Sequence, residues 1–451
     1  MLKRGWVQLF IVLLLFIITI PASSQAKLAE DPMIRVGIWS NQFSILIGAD
    51  DEYAMVDSDT GKMLGRFSGK DKTSISVKDK GMAINGVLSN ARHLKVVRLG
   101  NNEHGDEQYI EVNKRRYRGE ITIHQTHEKA GLTVVNTLSI EQYLYGVIAR
   151  EISPEWSLEA VKAQAVAART YALFNLNKHK VDEYDVCATI DCQVYGGRES
   201  EAPRSIQAVD DTRGQVILYQ GQLITAAFHS SAGGYTENSE NVWGSYLPYL
   251  RGVPDDDQKG LHYKWEKTIT PLELQELIHK AGYDIGILQA IEVSSLTALP
   301  MKGAADRGVS GRVKSLGFIG SKGNIQLPGS KLRTILGLNS TLFDIKMIIP
   351  RPKTLEFQIT DSYGDRENKQ VDLNLAPAQE KDFLVAKKNI YHISGRTGET
   401  ILISGFGSGH GVGLSQWGAK AMAEKGPQGD PTYYKEILKH YYQGVAIQRY
   451  Y

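Results

Sequence analysis

One carboxylate in this chain sits where a helix would not ordinarily place one. Ile140, Tyr143, Leu144, Val147 and Ile148 follow the i, i+3, i+4, i+7, i+8 spacing of an amphipathic helix. Glu151 follows on the same stripe: eleven steps of about 100° return within about 20° of the direction of Ile140. A carboxyl group held against apolar surface has its charged form disfavoured, which raises its pKa toward the range of a general acid. The bland reading is that Glu151 swings out to water or pairs with Arg150. On the next helical stretch Lys162, Val166, Arg169 and Leu173 share one face. Two cations beside a carboxylate could orient a polar group such as an acetamido or lactyl substituent, or they snorkel over a neighbouring helix, which is the commoner fate.

Two histidines stand next to glycines. His410 is at the centre of Gly405-Phe-Gly-Ser-Gly-His-Gly-Val-Gly413, which nowhere meets the G-x-G-x-x-G spacing of a dinucleotide turn. The alternating glycines instead allow close backbone approach, as a functional loop or a plain β-corner. His229 ends an apolar run and leads into Ser230-Ser-Ala-Gly-Gly234. Cys187 and Cys192 are the chain's two cysteines. In an exported protein they favour a disulfide; zinc is the rival, with His179 and Asp191 nearest to complete four ligands. His124 and His127 are rejected as a chelating pair, because i and i+3 in a strand face opposite ways. Neither G-x-S-x-G nor H-E-x-x-H occurs.

The elements that position these residues are mixed, and the fold class is α+β, with β-rich domains around a helical catalytic segment. Short alternating runs from Ile34 to about Leu138 read as a β-rich region. The first helix follows, with Ser139 and Gln142 as a capping box and Pro154 beyond its end. An alanine-rich helix runs from about Leu158 to Leu176. A hairpin turns at Gln220-Gly221, a short helix lies near Leu272–Lys280, and β-like runs cover Val313–Ile319, Ile345–Ile349 and Leu355–Ile359. A helix from about Gln416 to Lys425 comes after the glycine loop. The last helix is expected to start with Asp430 as N-cap and Pro431 at its first position. At the N-terminus, Lys3 and Arg4 precede a nearly uninterrupted apolar run, Val7 to Ile20, and then Ser24 and Ala26 in the −3/−1 pattern of a signal peptidase site. Residues 1–26 are therefore expected to be a cleaved signal or a retained anchor, so the protein acts outside the cytoplasmic membrane, touching it only through this segment. In 451 residues, 42% hydrophobic and 23% charged, neither wholesale disorder nor a multi-span topology fits. Fifty-two basic against 50 acidic residues argue against a nucleic-acid partner.

Five runs together resemble the SpoIID/LytB family. They are Leu138-Ser-Ile-Glu-Gln-Tyr-Leu-Tyr-Gly-Val-Ile-Ala-Arg-Glu-Ile152, Glu159-Ala-Val-Lys-Ala-Gln-Ala-Val-Ala-Ala-Arg-Thr-Tyr-Ala172, Cys192-Gln-Val-Tyr-Gly196, Phe228-His-Ser-Ser-Ala-Gly-Gly234 and Gly409-His-Gly-Val-Gly-Leu-Ser-Gln-Trp-Gly-Ala419. Weaker likeness covers Leu332 to Ser340. The resemblance implies a lytic transglycosylase acting on peptidoglycan glycan strands, with Glu151 as acid and then base and no cofactor required. It also implies that Lys162, Arg169, Gln193, Tyr195, His229, Ser230 and His410 bind the glycan. Some members hold zinc with a cysteine pair and histidine; here Asp191 stands before Cys192 where those members carry histidine, which weakens that expectation without removing it.

Two other functions remain open at this level. One is a non-catalytic wall binder that enhances an amidase, the role resemblance to LytB-type members implies. The other is a water-using glycosidase, which needs a second carboxylate about 5–10 Å from Glu151, with Asp191 or Asp255–Asp257 on offer. The expected organisation is a β-rich region at 33–130, a core in two parts at 131–258 and 395–451, and an accessory β-rich region at 259–394.

Overall fold

The computed structural model describes residues 30–451 apart from 70, 79–80, 101–108, 127–130, 351–353, 361 and 373–387. The expected export segment 1–26 and His127 lie outside the described residues. Among the described residues no helix is long and apolar enough to cross a membrane.

The first β-rich stretch forms a seven-stranded sheet in the order Val186–Cys187, Met33–Gln42, Leu132–Ser139, Glu120–Gln125, His93–Arg98, Tyr53–Asp57, Met63–Phe67. A six-stranded sheet centred on Ser44–Ala49 and Thr73–Lys78 accompanies it. Alternation sets the buried face: Ile34 and Val36, like Ile121 and Ile123, are wholly enclosed while their neighbours are less so. The strand Leu132–Ser139 runs straight into the first helix, α1 (Ile140–Glu151). Ser139 caps it by accepting from the Gln142 N–H at 3.3 Å. Ile152 is extended, in line with the bias away from helix as Pro154 approaches. The second helix, α2 (Leu158–Phe174), crosses α1 closely because Ala160, Ala165, Ala168 and Ala172 present no bulk. The sheet, α1 and one face of α2 share a single apolar core.

The opposite face of α2 packs into a second core, where Ala163, Val166 and Ala167 meet Ile217, Leu438 and Tyr441. Between these come α3 (Pro203–Asp211) and the hairpin Gln215–Tyr219/Gln222–Leu223. That hairpin turns through left-handed Gln220 and Gly221, as the sequence leads one to expect. A one-turn helix, α4 (Ser239–Trp243), follows. Residues from Lys264 onward build a unit with its own core, containing α5 (Pro271–Lys280), α6 (Gly329–Leu336) and antiparallel strands. The strand Thr400–Phe406 is central there, flanked by Lys264–Ile269 and Phe343–Ile348. The chain then returns through the glycine loop to α7 (Gln416–Lys425) and α8 (Tyr434–Tyr441), against α2.

The start of α8 differs from the sequence expectation. Asp430 does not cap it; its carboxylate accepts from the N–H and hydroxyl of Thr432 in a local turn. The helix begins at Tyr434, whose N–H donates to Glu159 on α2 at 3.0 Å, while Lys162 takes the Pro431 carbonyl. A tertiary partner supplies the cap, so the local Asp-Pro signal was overridden.

Candidate active site

Glu151 is the last residue of α1, half-buried. Its Oε1 accepts from the backbone N–H of Val194 at 3.1 Å. Burial pushes its carboxyl above the usual carboxylate range, against the opposing pull of the Val194 N–H and the Arg150 charge. Arg150 itself is exposed. The residue that donates to Glu151 is held by those on either side of it. Gln193 is buried, donating to the Ala168 carbonyl at 3.3 Å and accepting from the Tyr143 hydroxyl at 3.2 Å. Tyr195 is buried and donates to Asn136 Oδ1 at 2.9 Å. In extended chain, alternate side chains point the same way, so two anchors facing inward fix the segment that carries the Val194 N–H. Gly146 makes room for it: a Cβ there would meet the Tyr195 ring at 2.5 Å. Expected to line a cleft, Gln193 and Tyr195 instead spend their polar atoms on the protein beneath Glu151.

Arg169 is likewise placed away from any ligand. It is fully enclosed, and all five of its N–H groups are used: a two-point pair with Glu141 at 2.9 and 2.7 Å, and bonds to Thr212 Oγ1 and the Gln215 and Val209 carbonyls. Burial would raise the Glu141 carboxyl, but the Arg169 charge and hydrogen bonds hold it below its ordinary value. Lys162 is buried between Glu159 at 3.1 Å and Asp211 at 3.3 Å. These two cations lock α2 to α1, α3 and α8.

His229 lies in a two-residue strand, Phe228–His229, parallel to Leu414–Ser415. Its Nδ1 is 3.2 Å from the Val412 carbonyl, so the proton sits there and Nε2 is the bare nitrogen; that Nε2 is buried with no hydrogen-bond partner. The His410 ring is 5.4 Å away, and its Nδ1 accepts from the Val412 N–H at 3.1 Å. Burial depresses both imidazoles, with the nearby Arg312 and Arg333 charges adding to it; His410 falls to about 4. Both rings are neutral at pH 7. Gly407, Gly409, Gly411 and Gly413 all adopt left-handed backbone, and a Cβ on Gly411 would strike the Arg312 guanidinium. Ser230 is half-buried and its carbonyl accepts from the Trp417 N–H. The Trp417 ring packs on Trp156 at 4.7 Å, and Lys420 lies over both. This indole pair links the stretch after Glu151 to the histidine side.

The acids weighed as a second catalytic group are engaged elsewhere. Asp191 is 2.9 Å from Lys178 and 3.3 Å from His179 Nε2. Asp255 accepts from the Tyr441 hydroxyl at 2.6 Å. Asp257 accepts from Ser231 Oγ and from the N–H groups of Gly233 and Gly234.

The loop carrying Val194 also carries a donor cluster. One ligand atom from each of His179, Cys187, Asp191 and Cys192 lies within 4.8 Å of the others. Both cysteines are free thiols. A hydrogen bond from Cys192 pulls the Cys187 thiol down to about 5, and the same proton pushes Cys192 up. His179 Nε2 is 3.4 Å and Lys178 Nζ 3.6 Å from Cys192 Sγ. Two sulfurs, an imidazole and a carboxylate fit the donor chemistry of tetrahedral zinc.

A family model described as SpoIID, stage II sporulation protein, matches residues 128–219. An uncharacterised protein of Brachyspira hyodysenteriae is 35% identical over 321 residues, which are 71% of this chain and 69% of that protein. The chain belongs to the SpoIID family. The amidase enhancer of Bacillus subtilis is 31% identical over 316 residues, covering 68% of the SpoIID chain but 40% of the enhancer. Stage II sporulation protein D of the same organism is 29% identical over 330 residues, 69% and 75% of the two chains.

Several residues that shape the SpoIID site carry no mark in the sequence. Val194 contributes only its backbone. Glu141 looks like an ordinary first-turn acid, and its pairing with Arg169 across 28 positions is a property of how α1 and α2 cross. Trp156 and Trp417 are 261 residues apart and meet only in space.

Proposed function

We propose that this protein is a peptidoglycan lytic transglycosylase that cleaves the bond from N-acetylmuramic acid to N-acetylglucosamine. Glu151, protonated, gives its proton to the glycosidic oxygen as the bond to the muramyl C1 breaks. The carboxylate left behind then accepts the proton of the muramyl 6-hydroxyl as that oxygen bonds to C1, leaving a 1,6-anhydro end. Atoms and charge balance without water, and the carboxyl is returned protonated. The observation that carries the reading is the Glu151 carboxyl at the end of α1, raised by burial and held by the Val194 N–H, while Asp191 pairs with Lys178, Asp255 bonds Tyr441 and Asp257 bonds the Gly233 N–H. A water-using glycosidase needs a second acid beside the first. Neutral His229 and His410 suit a cleft wall that hydrogen-bonds sugar without charging.

Zinc bound by His179, Cys187, Asp191 and Cys192 belongs to the same proposal. It would supply structural cross-linking and take no part in the proton steps. Those residues would fix the loop from which Val194 positions Glu151. Action outside the cytoplasmic membrane, with Val7–Ile20 as signal or anchor, is also part of it.

A second reading draws on the relative named amidase enhancer: a wall-binding protein that stimulates an amidase without cutting glycan. Mass spectrometry of peptidoglycan, intact and peptide-free, after incubation with the purified protein and with Glu151→Gln separates them. Anhydromuramyl ends from the unsubstituted protein alone are the expected result. No such ends from either protein, with binding retained, transfers the assignment to the enhancer reading.

A further inference from the structure

After the strand Phe343–Ile348 the chain makes an antiparallel hairpin, Thr354–Thr360 against Arg366–Asp372, in unbroken register. These two strands form a sheet of their own, and among the described residues no third strand pairs with either. A two-stranded ribbon is marginal in water unless a further strand or a packing layer supports it. Both outer edges keep a row of backbone N–H and C=O groups outside any ladder, the template on which another strand adds. Phe357 stands opposite Lys369 and Ile359 opposite Glu367, so alternation puts Phe357, Ile359 and Val371 on one face with that pair of charges. The three apolar side chains are 45%, 40% and 46% exposed.

The order of charges along Arg366–Asp372 says which strand would fit. Glu367 and Lys369 flank Asn368 on one face, with their charged atoms 3.6 Å apart. Turned end for end about Asn368, the strand meets itself with Glu367 opposite Lys369 and Lys369 opposite Glu367. Each charged position then finds the opposite sign. A two-fold centred on Glu367 or on Lys369 would set like charge against like charge, which is destabilising. The reverse face suits the same centre. Gln358 Nε2 donates to Asn368 Oδ1 at 3.1 Å within the hairpin, so Asn368 facing its own copy continues a ladder of amides across the seam. Charges on an edge strand commonly deter pairing; here their order deters other strands and other registers while favouring an identical strand.

We propose that the Thr354–Asp372 hairpin is a self-association surface whose partner is a second copy of this chain, joined by antiparallel pairing of the two Arg366–Asp372 strands about Asn368. The contact is isologous, the same patch serving on both copies. It merges two marginal ribbons into one continuous sheet, with Phe357, Ile359 and Val371 of both copies on one side. Ion pairs between Glu367 and Lys369 cross the seam on that side. The buried area is that of one strand edge, so the dimer belongs to the weak, concentration-dependent class. The surface lies outside the 128–219 stretch that the family model matches, and it is independent of the chemistry assigned to Glu151.

Sedimentation velocity on the full chain, over a series from about 1 to 100 μM, tests this. The unsubstituted protein should pass from monomer to dimer as concentration rises. Lys369→Glu alone and Glu367→Lys alone each replace both ion pairs by like-charge contacts and should weaken association by roughly tenfold or more. An equimolar mixture of those two variants should dimerise again, because every charge of one then meets its opposite on the other. A chain carrying both substitutions should also dimerise. Recovery in the mixture shows that the single variants are folded. Salt gives a reading with no substitution at all: raising it from about 0.05 to 0.5 M should weaken the unsubstituted dimer. A monomer at every concentration overturns the proposal, as does a mixture that stays monomeric or a dimer indifferent to salt. A dimer that survives both single substitutions overturns it too, and is what association through Val7–Ile20 would produce, since every variant carries that segment.

Discussion

The protonation state of Glu151 decides what this site can do. As a general acid it acts only while protonated, so kcat/KM should be flat at low pH and fall as pH rises through its raised pKa. His229 and His410, both depressed, should not shape the profile between pH 6 and 8, because they stay neutral throughout that range. A rate that instead rises through that interval would mean that a base, not this acid, limits the reaction. Glu151→Gln keeps the shape and the acceptor for the Val194 N–H but cannot give a proton. Its turnover should drop by roughly a hundredfold to ten-thousandfold, read as anhydromuramyl release, with thermal stability close to that of the unsubstituted protein.

At the scale of elements, the crossing of α1 and α2 depends on one buried ion pair. Arg169 and Glu141 expose almost none of their side chains, 0% and 1%, and removing one partner strands the other's charge. Arg169→Ala should therefore cost about 3–5 kcal/mol in denaturant unfolding. If Arg169 contacted glycan instead, stability would hold and only KM would rise. The Cys187–Tyr195 segment is the other element with a measurable claim. Cys187→Ser should lower bound zinc from about one per chain, measured by elemental mass spectrometry, and lower the melting temperature of the metal-loaded protein toward that of the chelator-treated one. Protein purified under zinc-replete conditions that contains none, and that melts identically with and without chelator, would remove the metal from this loop.

Over the whole molecule, segments far apart in sequence close around one buried carboxyl. Asp255 lies under Gly418 of α7 and accepts from Tyr441 of α8; burial and the neighbouring Asp257 push it up to about 7, and its Oδ2 has no hydrogen-bond partner. In the unfolded chain it ionises near its ordinary value of 3.8. Between those values the folded state binds the extra proton, so its contribution is fully present below about pH 4 and is lost as pH rises to about 7. The whole loss is at most roughly 4 kcal/mol. Asp255→Asn, which cannot ionise, should gain stability relative to the unsubstituted protein as pH goes from 5 to 8, measured by paired urea titrations. A difference independent of pH would show that Asp255 is ionised in the fold. The same long-range closure separates what the sequence could say from what it could not. Periodicity located α1 and put Glu151 on an apolar stripe, because a helix's buried face is written locally at 3.6-residue spacing, while alanine content marked α2. The order and length of the SpoIID motifs carried the family. But α8 started at Tyr434 and not at Asp430, since its cap comes from Glu159. Arg169 became a buried clamp and Gln193 and Tyr195 became inward anchors, since each answers to a partner more than 20 residues away. The sequence by itself marked α1, α2, α5, α7 and a last helix, but not α3 or α6, and it put one carboxyl on an apolar stripe; only the tertiary structure decided which polar groups are consumed by partners and which are left for a ligand, because hydrogen bonding and burial are settled by neighbours in space.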